Sequence, residues 1–267
     1  MTYCTIPPPA SLSSYVRFFW TLESDEPYCH RSMADGCAEM VFHYKGSFDD
    51  ISNESPEKSF ASGLHGPSQI FRRNKTATSF AIFGVYFYPF ALPHFFSIPA
   101  SELSNEAPDL KTLMGHSGTE LEEKIMLAHS NAERVAVVSS FLHGRLSANE
   151  DKRQPAFCSI IREIIHSRGC FSVDELAKRS FLSMRQFERN FKVFSGFGPK
   201  LYPRIIRFQS TTSHYGISNK TLTEIAYDCG YYDQSHFIHE FKQFSGYHPK
   251  QYFYGQAEGV EWRNASN

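Results

Sequence analysis

The stretch GYYDQSHFIHEFKQFSGYHPKQY occupies residues 230–252, close to the end of the 267-residue chain. A related stretch, LSMRQFERNFKVFSGFGPKLY, occupies residues 182–202. When the two are aligned on the FSG turn that they share, their phenylalanines, their glycine and their Pro-Lys pair coincide. A duplication of this kind predicts two copies of one small structural unit.

Each copy has the pattern of a helix, a tight turn and a second helix, which is a helix-turn-helix. Ser183 and Asp233 stand where the second helix of each copy should begin, and both residue types are good helix caps. At 3.6 residues per turn, the phenylalanines of each second helix share one face and are expected to lie in a core. They are Phe187, Phe191 and Phe194 in the first copy and Phe237, Phe241 and Phe244 in the second.

The opposite faces of these second helices carry polar and basic side chains. Arginine suits bidentate contact with guanine, and lysine suits contact with phosphate. For one helix alone a solvated face is the simpler interpretation, but two such helices in tandem favour reading of the DNA major groove. The predicted DNA-binding residues are Ser183, Arg185, Arg189, Lys192, Gln234, Ser235, His239 and Lys242.

Residues 156–253 resemble the DNA-binding domain of AraC/XylS-type bacterial transcription regulators, through IAYDCGYYDQSHFIHEFKQFSGYHPKQY and the spacing of both repeats. The resemblance implies two helix-turn-helix units that are joined by a long helix, here Pro199 to about Tyr215, and that enter successive major grooves. Four residues depart from the family pattern: Pro203, Thr211, His239 and Phe253. Pro203 is expected about one turn inside the linker helix, where it would bend the start of that helix. His239 stands where arginine is common, so the second unit is expected to be the weaker reader.

Residues 1–105 have the composition of a β-rich region. Runs such as SYVRFFWTLES (14–24) and AEMVFHYKG (38–46) combine aromatic and β-branched residues between turns. The segment SFAIFGVYFYPFALPHFFSIPA (79–100) has no Asp, Glu, Lys or Arg and is long enough to cross a bilayer. Its three prolines and its aromatic first part favour paired strands in a β core, so we predict no membrane partner.

The front half also resembles an N-terminal domain that a subset of these regulators carries, through PPPASLSSYVRFFW, MADGCAEMVFHYKG and the segment 84–115. The resemblance implies a small β-barrel-like domain that binds an effector, mediates dimerisation or does both. Its aromatic composition fits an aromatic or lipid-like ligand as well as a simple packed core.

A helical connector is predicted after residue 110, because apolar residues recur there at helical spacing. These residues fit either a dimer seam or packing on the β domain of the same chain; they are Leu121, Ile125, Val135, Val138, Phe141 and Leu142. The predicted fold is an α+β multidomain chain. It comprises a β-rich domain at 1–110, a helical connector at 111–150 and an all-α domain with two helix-turn-helix units at 156–254.

The charge distribution supports this division. Residues 1–154 carry 13 basic and 18 acidic side chains, whereas residues 155–267 carry 14 basic and 10 acidic ones. A basic module behind an acidic front half is typical of a nucleic-acid-binding domain joined to a second domain.

The sequence offers little support for catalysis or for a metal. There is no GxSxG motif, no Gly-rich phosphate loop and no paired-carboxylate motif, so we predict no enzyme and no cofactor. The candidate metal ligands of the front half lack an HxH pair and a suitably spaced carboxylate, so no metal is predicted. These residues are His30, His43, His65 and His94 with Cys29 and Cys37. Six cysteines without a CxxC pair, in a chain without a signal peptide, predict reduced thiols and a cytoplasmic protein.

The sequence therefore predicts a sequence-specific regulator that binds double-stranded DNA at two adjacent half-sites. Further partners that the resemblance implies are a small-molecule effector in the front domain, a second copy of the chain in a homodimer and, for an activator, RNA polymerase. The alternative is a ligand-binding or protein-interaction adaptor that has this fold and has lost specific DNA binding.

Overall fold

The computed structural model describes residues 1–148, 155–170, 172–216, 220–255 and 257–264. Within these ranges the front half is rich in strands and the C-terminal part is helical, so the predicted α+β layout is confirmed. The strands are β1 Thr2–Ile6, β2 Val16–Ser24, β3 Tyr28–Ser32, β4 Ala38–Lys45, β5 Asp49–Asp50, β6 Glu57–Lys58, β7 Ser62–His65, β8 Arg72–Thr76 and β9 Phe80–Phe87.

The helices of the described residues begin after the last strand. Three shorter helical turns accompany them: Leu92–Phe96, Ala100–Glu102 and, near the C-terminus, Glu261–Asn264. The α-helices are α1 Leu110–Met114, α2 His116–Leu127, α3 Asn131–Ala148, α4 Pro155–His166, α5 Val173–Arg179, α6 Met184–Ser195, α7 Tyr202–Thr212, α8 Leu222–Asp228, α9 Gln234–Ser245 and α10 Pro249–Phe253.

The strands of the front domain form two antiparallel sheets. The larger sheet has the order β1-β2-β9-β4-β7, and the smaller has the order β3-β8-β5-β6. The predicted barrel is thus present as two open sheets and not as one closed cylinder. Because side chains alternate across a strand, each strand of the larger sheet presents one set of residues to each face.

One face of the larger sheet packs against helices α1–α3. Phe42 and Phe83 of the sheet share a single buried cluster with Leu121, Ile125 and Leu142 of the helices. The apolar residues of the predicted connector therefore pack on the β domain of their own chain, which is one of the two arrangements that the sequence left open. The last two residues of that connector, 149–150, and the predicted domain boundary up to 154 lie outside the described residues.

The uncharged segment 79–100 is only partly a strand. Its first part is β9, which pairs with β2 and β4 at the centre of the larger sheet. Beyond it Leu92–Phe96 is a helical turn whose five residues are all buried, so the prediction of strands throughout is wrong for this part. Pro93 has no N–H to donate to a strand but fits the first turn of a helix. Across the described ranges, no helix is long and apolar enough to cross a membrane.

Helix α7 joins the two units of the C-terminal domain and is shorter than predicted. It begins at Tyr202 and ends at Thr212, so Pro203 is its second residue. An N–H at that position has no partner within a helix, and its absence costs nothing there. The bend that the sequence predicted at Pro203 is therefore not required.

Candidate functional site

The second helix of each helix-turn-helix begins at the predicted cap. The Oγ of Ser183 accepts a hydrogen bond from the backbone N–H of Gln186, whose side chain bonds back to Ser183 in a capping box. The carboxylate of Asp233 accepts from the backbone N–H of His236 at 2.7 Å. Both helices α6 and α9 are therefore defined at their N-termini by local side-chain bonds.

The phenylalanine face of each helix lies in one continuous aromatic core of the C-terminal domain. In α6 the rings of Phe187 and Phe191 have centroids 5.6 Å apart, and in α9 the rings of Phe237 and Phe241 are also 5.6 Å apart. All six phenylalanines that the sequence assigned to the core are buried. This burial turns the opposite face of each helix toward solvent.

Six of the eight residues predicted to bind DNA lie on these outward faces and are exposed: Arg185, Arg189, Lys192, Ser235, His239 and Lys242. Ser183 is exposed too, but its side chain is engaged in the cap. Gln234 is half-buried, and its Oε1 accepts from the hydroxyl of Thr223 on α8 at 3.1 Å. Within the described part of the chain, no ion pair involves the three cations of α6 or Lys242. These cations remain available for an external anion.

The two helices differ in charge on their outward faces. Helix α6 presents Arg185, Arg189 and Lys192, whereas α9 presents Lys242 and His239. The first helix thus offers two guanidinium groups with the fork geometry that base edges and phosphates accept, and the second offers none.

An ion pair with a buried carboxylate connects α9 to the linker helix α7. The carboxylate of Glu240 is 1% exposed and lies 2.5 Å from Nε of Arg204 on α7. His236, one turn before Glu240 on α9, lies 3.4 Å from the same carboxylate oxygen. Because an unpaired buried charge is costly, the bond from Arg204 holds α9 in position against α7.

The turn of the first unit contains a strained residue. Phe181 has φ 54°, in the left-handed region, and its side chain is 97% exposed. Gly230, with φ 74°, occupies the corresponding bend in the second unit. Glycine adopts this conformation without a steric penalty, whereas a bulky residue pays about 1–2 kcal/mol.

Replacing Phe181 with glycine is therefore expected to stabilise the chain by about 0.5–1 kcal/mol, after the greater flexibility of glycine in the unfolded state is deducted. Urea unfolding followed by circular dichroism at 222 nm measures this change. The control is Gly230→Ala, which should destabilise the folded chain. The alanine would have to adopt a positive φ, and its Cβ would lie 2.7 Å from Sγ of Cys170. A loss of stability in Phe181→Gly would contradict the argument from strain.

The front domain contacts the turn that follows each second helix. The hydroxyl of Ser104 donates to the carbonyl oxygen of Gly196 at 2.7 Å, in the FSG turn after α6. Arg31 Nη1 donates to the carbonyl oxygen of Gly246 at 3.0 Å, in the FSG turn after α9. The ring of Phe71 also packs on Gly246, where a Cβ would lie 2.7 Å from it. The front domain thus contacts both units at corresponding points.

A cavity of about 790 Å³ lies between the two sheets and extends to the linker helix. Glu39 and His43 line it from β4, His65 lines it from β7, and Ile206 and Gln209 line it from α7. Its volume is in the range of sites for small molecules. The cavity is therefore a second candidate site, bounded by both domains.

The ionisable groups of this cavity have unusual pKa values. Burial, and to a smaller extent the charge of Asp35, raise the pKa of Glu39 to about 8. Burial lowers the pKa of His43 and of His65 to about 4. The two histidines are neutral at pH 7, and Glu39 is largely protonated.

The sequence analysis did not identify this cavity, although the alternation of side chains along a strand predicts which residues of β4 share one face. Glu39, Val41 and His43 alternate along β4 and so share the face opposite the helices. His30 also lines the cavity, whereas His94 is buried elsewhere, with its ring 6.0 Å from that of Phe194. No group of three or more His, Cys, Asp or Glu in the described ranges is arranged to hold a metal ion.

Two family models match the chain. A model of a domain of unknown function (DUF6597) matches residues 4–109, and a model described as a helix-turn-helix domain matches residues 176–254. The HTH-type transcriptional activator RhaS of Escherichia fergusonii is 29% identical over 96 residues, which are 36% of this chain and 34% of the relative. The chain thus matches about a third of the length of this curated relative.

Two solved structures are similar to this chain at lower sequence identity. A structure of ToxT from Vibrio cholerae has a TM-score of 0.47 and 13% identity, over 95% of this chain and 98% of that one. The DNA-binding domain of AdpA, solved in complex with a target DNA, has a TM-score of 0.35 and 23% identity, over 39% and 93%. From the sequence matches, the chain carries a helix-turn-helix domain at residues 176–254, which is similar to AraC/XylS-type regulators, behind a front region that matches a domain of unknown function.

Proposed function

We propose that the chain is a cytoplasmic transcription regulator that reads two adjacent half-sites of double-stranded DNA in the major groove. The observation that carries this proposal is the pair of exposed outward faces on α6 and α9, each set on a helix-turn-helix frame. The match of residues 176–254 to a helix-turn-helix domain supports it independently.

The two units have unequal roles in this proposal. Arg185 and Arg189 of α6 make bidentate contacts with guanine edges, and Lys192 contacts phosphate. On α9, Ser235 and His239 contact bases or backbone more weakly, and Lys242 binds phosphate. Ser183 and Gln234, at the N-termini of the two helices, offer polar contacts to the backbone of the DNA.

The front domain controls this binding in the proposal, through a small-molecule effector, through dimerisation or through both. The effector site would be the cavity between the sheets, which is supported by its volume and by the residues of α7 in its wall. Because the same domain contacts the FSG turns of both units, a change in its shape alters the arrangement of both readers together. If the regulator is an activator, RNA polymerase is a further partner.

The alternative function is an adaptor that has lost specific DNA binding. Its support is His239, which gives the second unit an imidazole ring where the family commonly has the guanidinium group of arginine. Pro203 no longer supports it, because this residue begins the linker helix and leaves it intact.

Selection of bound oligonucleotides from a random DNA pool, with the intact protein at moderate salt, tests the proposal. We expect a motif with two half-sites about one helical turn apart, and more sequence information in the half-site that α6 reads. Binding that is sensitive to salt but yields no motif would reject specific recognition and favour the adaptor.

A further inference from the structure

The cavity that Glu39 lines is also lined by three aromatic side chains, those of Tyr3, Trp20 and Trp262. Tyr3 and Trp20, from β1 and β2, line the cavity with ring centroids 6.4 Å apart. Trp262, from the C-terminal end of the chain, packs edge-on to Tyr3 at 5.0 Å. Aromatic faces attract cations, and most strongly where water is excluded.

Glu39 differs from the two aspartates of the cavity, Asp35 and Asp50, in its partners. Asp50 pairs with Arg72 at 3.2 Å, and Asp35 accepts from the hydroxyl of Tyr86 at 2.7 Å. Glu39 makes no ion pair with any residue of the described ranges. Its raised pKa agrees with this, since burial and the neighbouring charge of Asp35 disfavour the charged form of the carboxyl group.

The residues 257–264, which we call the tail, lie outside both family matches. Ala257 and Val260 are buried in the aromatic core of the C-terminal domain. Nη1 of Arg263 donates to the carbonyl oxygen of Thr212, the last residue of α7, at 3.4 Å. The tail is therefore anchored to the domain that carries both helix-turn-helix units.

The same tail also reaches the front domain. Besides the contact of Trp262 with Tyr3, the carboxylate of Glu258 accepts from Nη2 of Arg73 on β8 at 2.8 Å. A ligand that rests on the ring of Trp262 therefore touches a segment that both domains hold.

We infer that the cavity binds a small amine with an apolar or aromatic body, whose ammonium group pairs with the carboxylate of Glu39 beside the rings of Tyr3, Trp20 and Trp262. The inference rests on the proposed function, since this amine would be the effector of the regulator. The cation supplies the partner that Glu39 lacks, and the rings supply both apolar surface and cation–π attraction. A ligand in the cavity contacts Trp262 and thereby affects the tail, which is anchored in the C-terminal domain.

The fluorescence of the intact protein provides a direct test, because its two tryptophans, Trp20 and Trp262, both line this cavity. Three probes share one ring and differ in charge: phenethylamine, phenylacetate and 2-phenylethanol. We expect phenethylamine to change the tryptophan emission with saturation, and the anion and the alcohol to bind at least about tenfold more weakly.

Glu39→Gln removes the charge and keeps the shape, and it should weaken phenethylamine about 10- to 100-fold. The matched control is Glu57→Gln, which changes an exposed acid at the rim of the same cavity and should leave the affinity unchanged. A thermal melt checks that Glu39→Gln is folded. If it is not, Glu39→Asp is used instead. This change shortens the side chain and keeps the charge, so it should bind phenethylamine with intermediate affinity.

The inference would be overturned if phenethylamine showed no saturable binding at 10 mM or below, which is about the weakest range of specific affinity. It would also be overturned if phenylacetate bound equally well, or if Glu39→Gln and Glu57→Gln lost equal affinity for phenethylamine. A divalent cation that displaces phenethylamine from wild-type protein and not from Glu39→Gln would also overturn it, since the site would then be a metal site. The selected DNA motif is measured without any amine. Failure of the amine therefore leaves the DNA-binding proposal standing, and failure of the DNA selection leaves the amine site standing.

Discussion

Replacing Arg204 with methionine is expected to lower the free energy of unfolding by about 3–5 kcal/mol. The change leaves the carboxylate of Glu240, which is 1% exposed, without the guanidinium that now lies 2.5 Å away. His236, at 3.4 Å, is too far to replace a direct bond. Urea unfolding followed by circular dichroism at 222 nm measures the loss in the helical domain.

Two further variants separate the buried charge from general damage. Arg179→Met breaks an ion pair with Glu163 whose side chains are 55% and 42% exposed, and it should cost less than about 1 kcal/mol. The double change of Arg204 to methionine and Glu240 to leucine removes both charges and should recover much of the stability. Equal losses in the two arginine variants would show that Glu240 is not held by Arg204.

The double replacement of Arg185 and Arg189 by alanine is expected to weaken binding of the selected DNA by ~100-fold or more. Each arginine that reads a base contributes about 1–3 kcal/mol, and both are exposed without an ion pair in the described ranges. Fluorescence anisotropy at fixed salt measures the affinity for the selected site and for sites with one changed base pair.

The controls for this loss come from the same domain. Arg179→Ala removes an equal charge away from the recognition faces and should change the affinity less than about threefold. Replacement of Ser235 and His239 by alanine should cost less than the arginine pair, because α9 offers no guanidinium group. If the arginine pair weakened every DNA sequence equally, its residues would be phosphate contacts and the assignment of base reading to α6 would be wrong.

The tandem organisation of the C-terminal domain could be predicted because its determinants are local. The spacing of Phe187, Phe191 and Phe194 specifies a helix face, and Ser183 and Asp233 specify where the two helices begin. These features depend on residues within one or two turns of each other. They also predicted which side chains are exposed, without any knowledge of the neighbouring domain.

The predictions from sequence were wrong where the same residues fit two different local structures. Apolar residues at 92–96 fit a buried strand or a buried helical turn, and short apolar runs do not separate the two. Pro203 was placed inside a helix because the start of that helix was predicted three residues too early. Boundaries depend on which backbone groups find partners, and that is decided by the tertiary contacts.

The cavity and the docking of the domains could not be predicted, since both depend on residues far apart in the chain. Glu39 and Trp262 line one cavity although 222 positions separate them, and Arg31 meets Gly246 across a similar distance. The alternation of side chains along β4 indicates which of its residues face away from the helices. It does not indicate what lies opposite, because the second sheet and α7 come from other parts of the sequence.

The tail has a consequence for how such a chain evolves. Recombination that exchanged the front domain for an unrelated one would leave Trp262 and Glu258 without Tyr3 and Arg73, although the junction lies more than a hundred residues upstream. The recombinant chain would carry an exposed indole and an unpaired carboxylate far from the junction in sequence. A front domain of this type and the segment 257–264 are therefore expected to be inherited together.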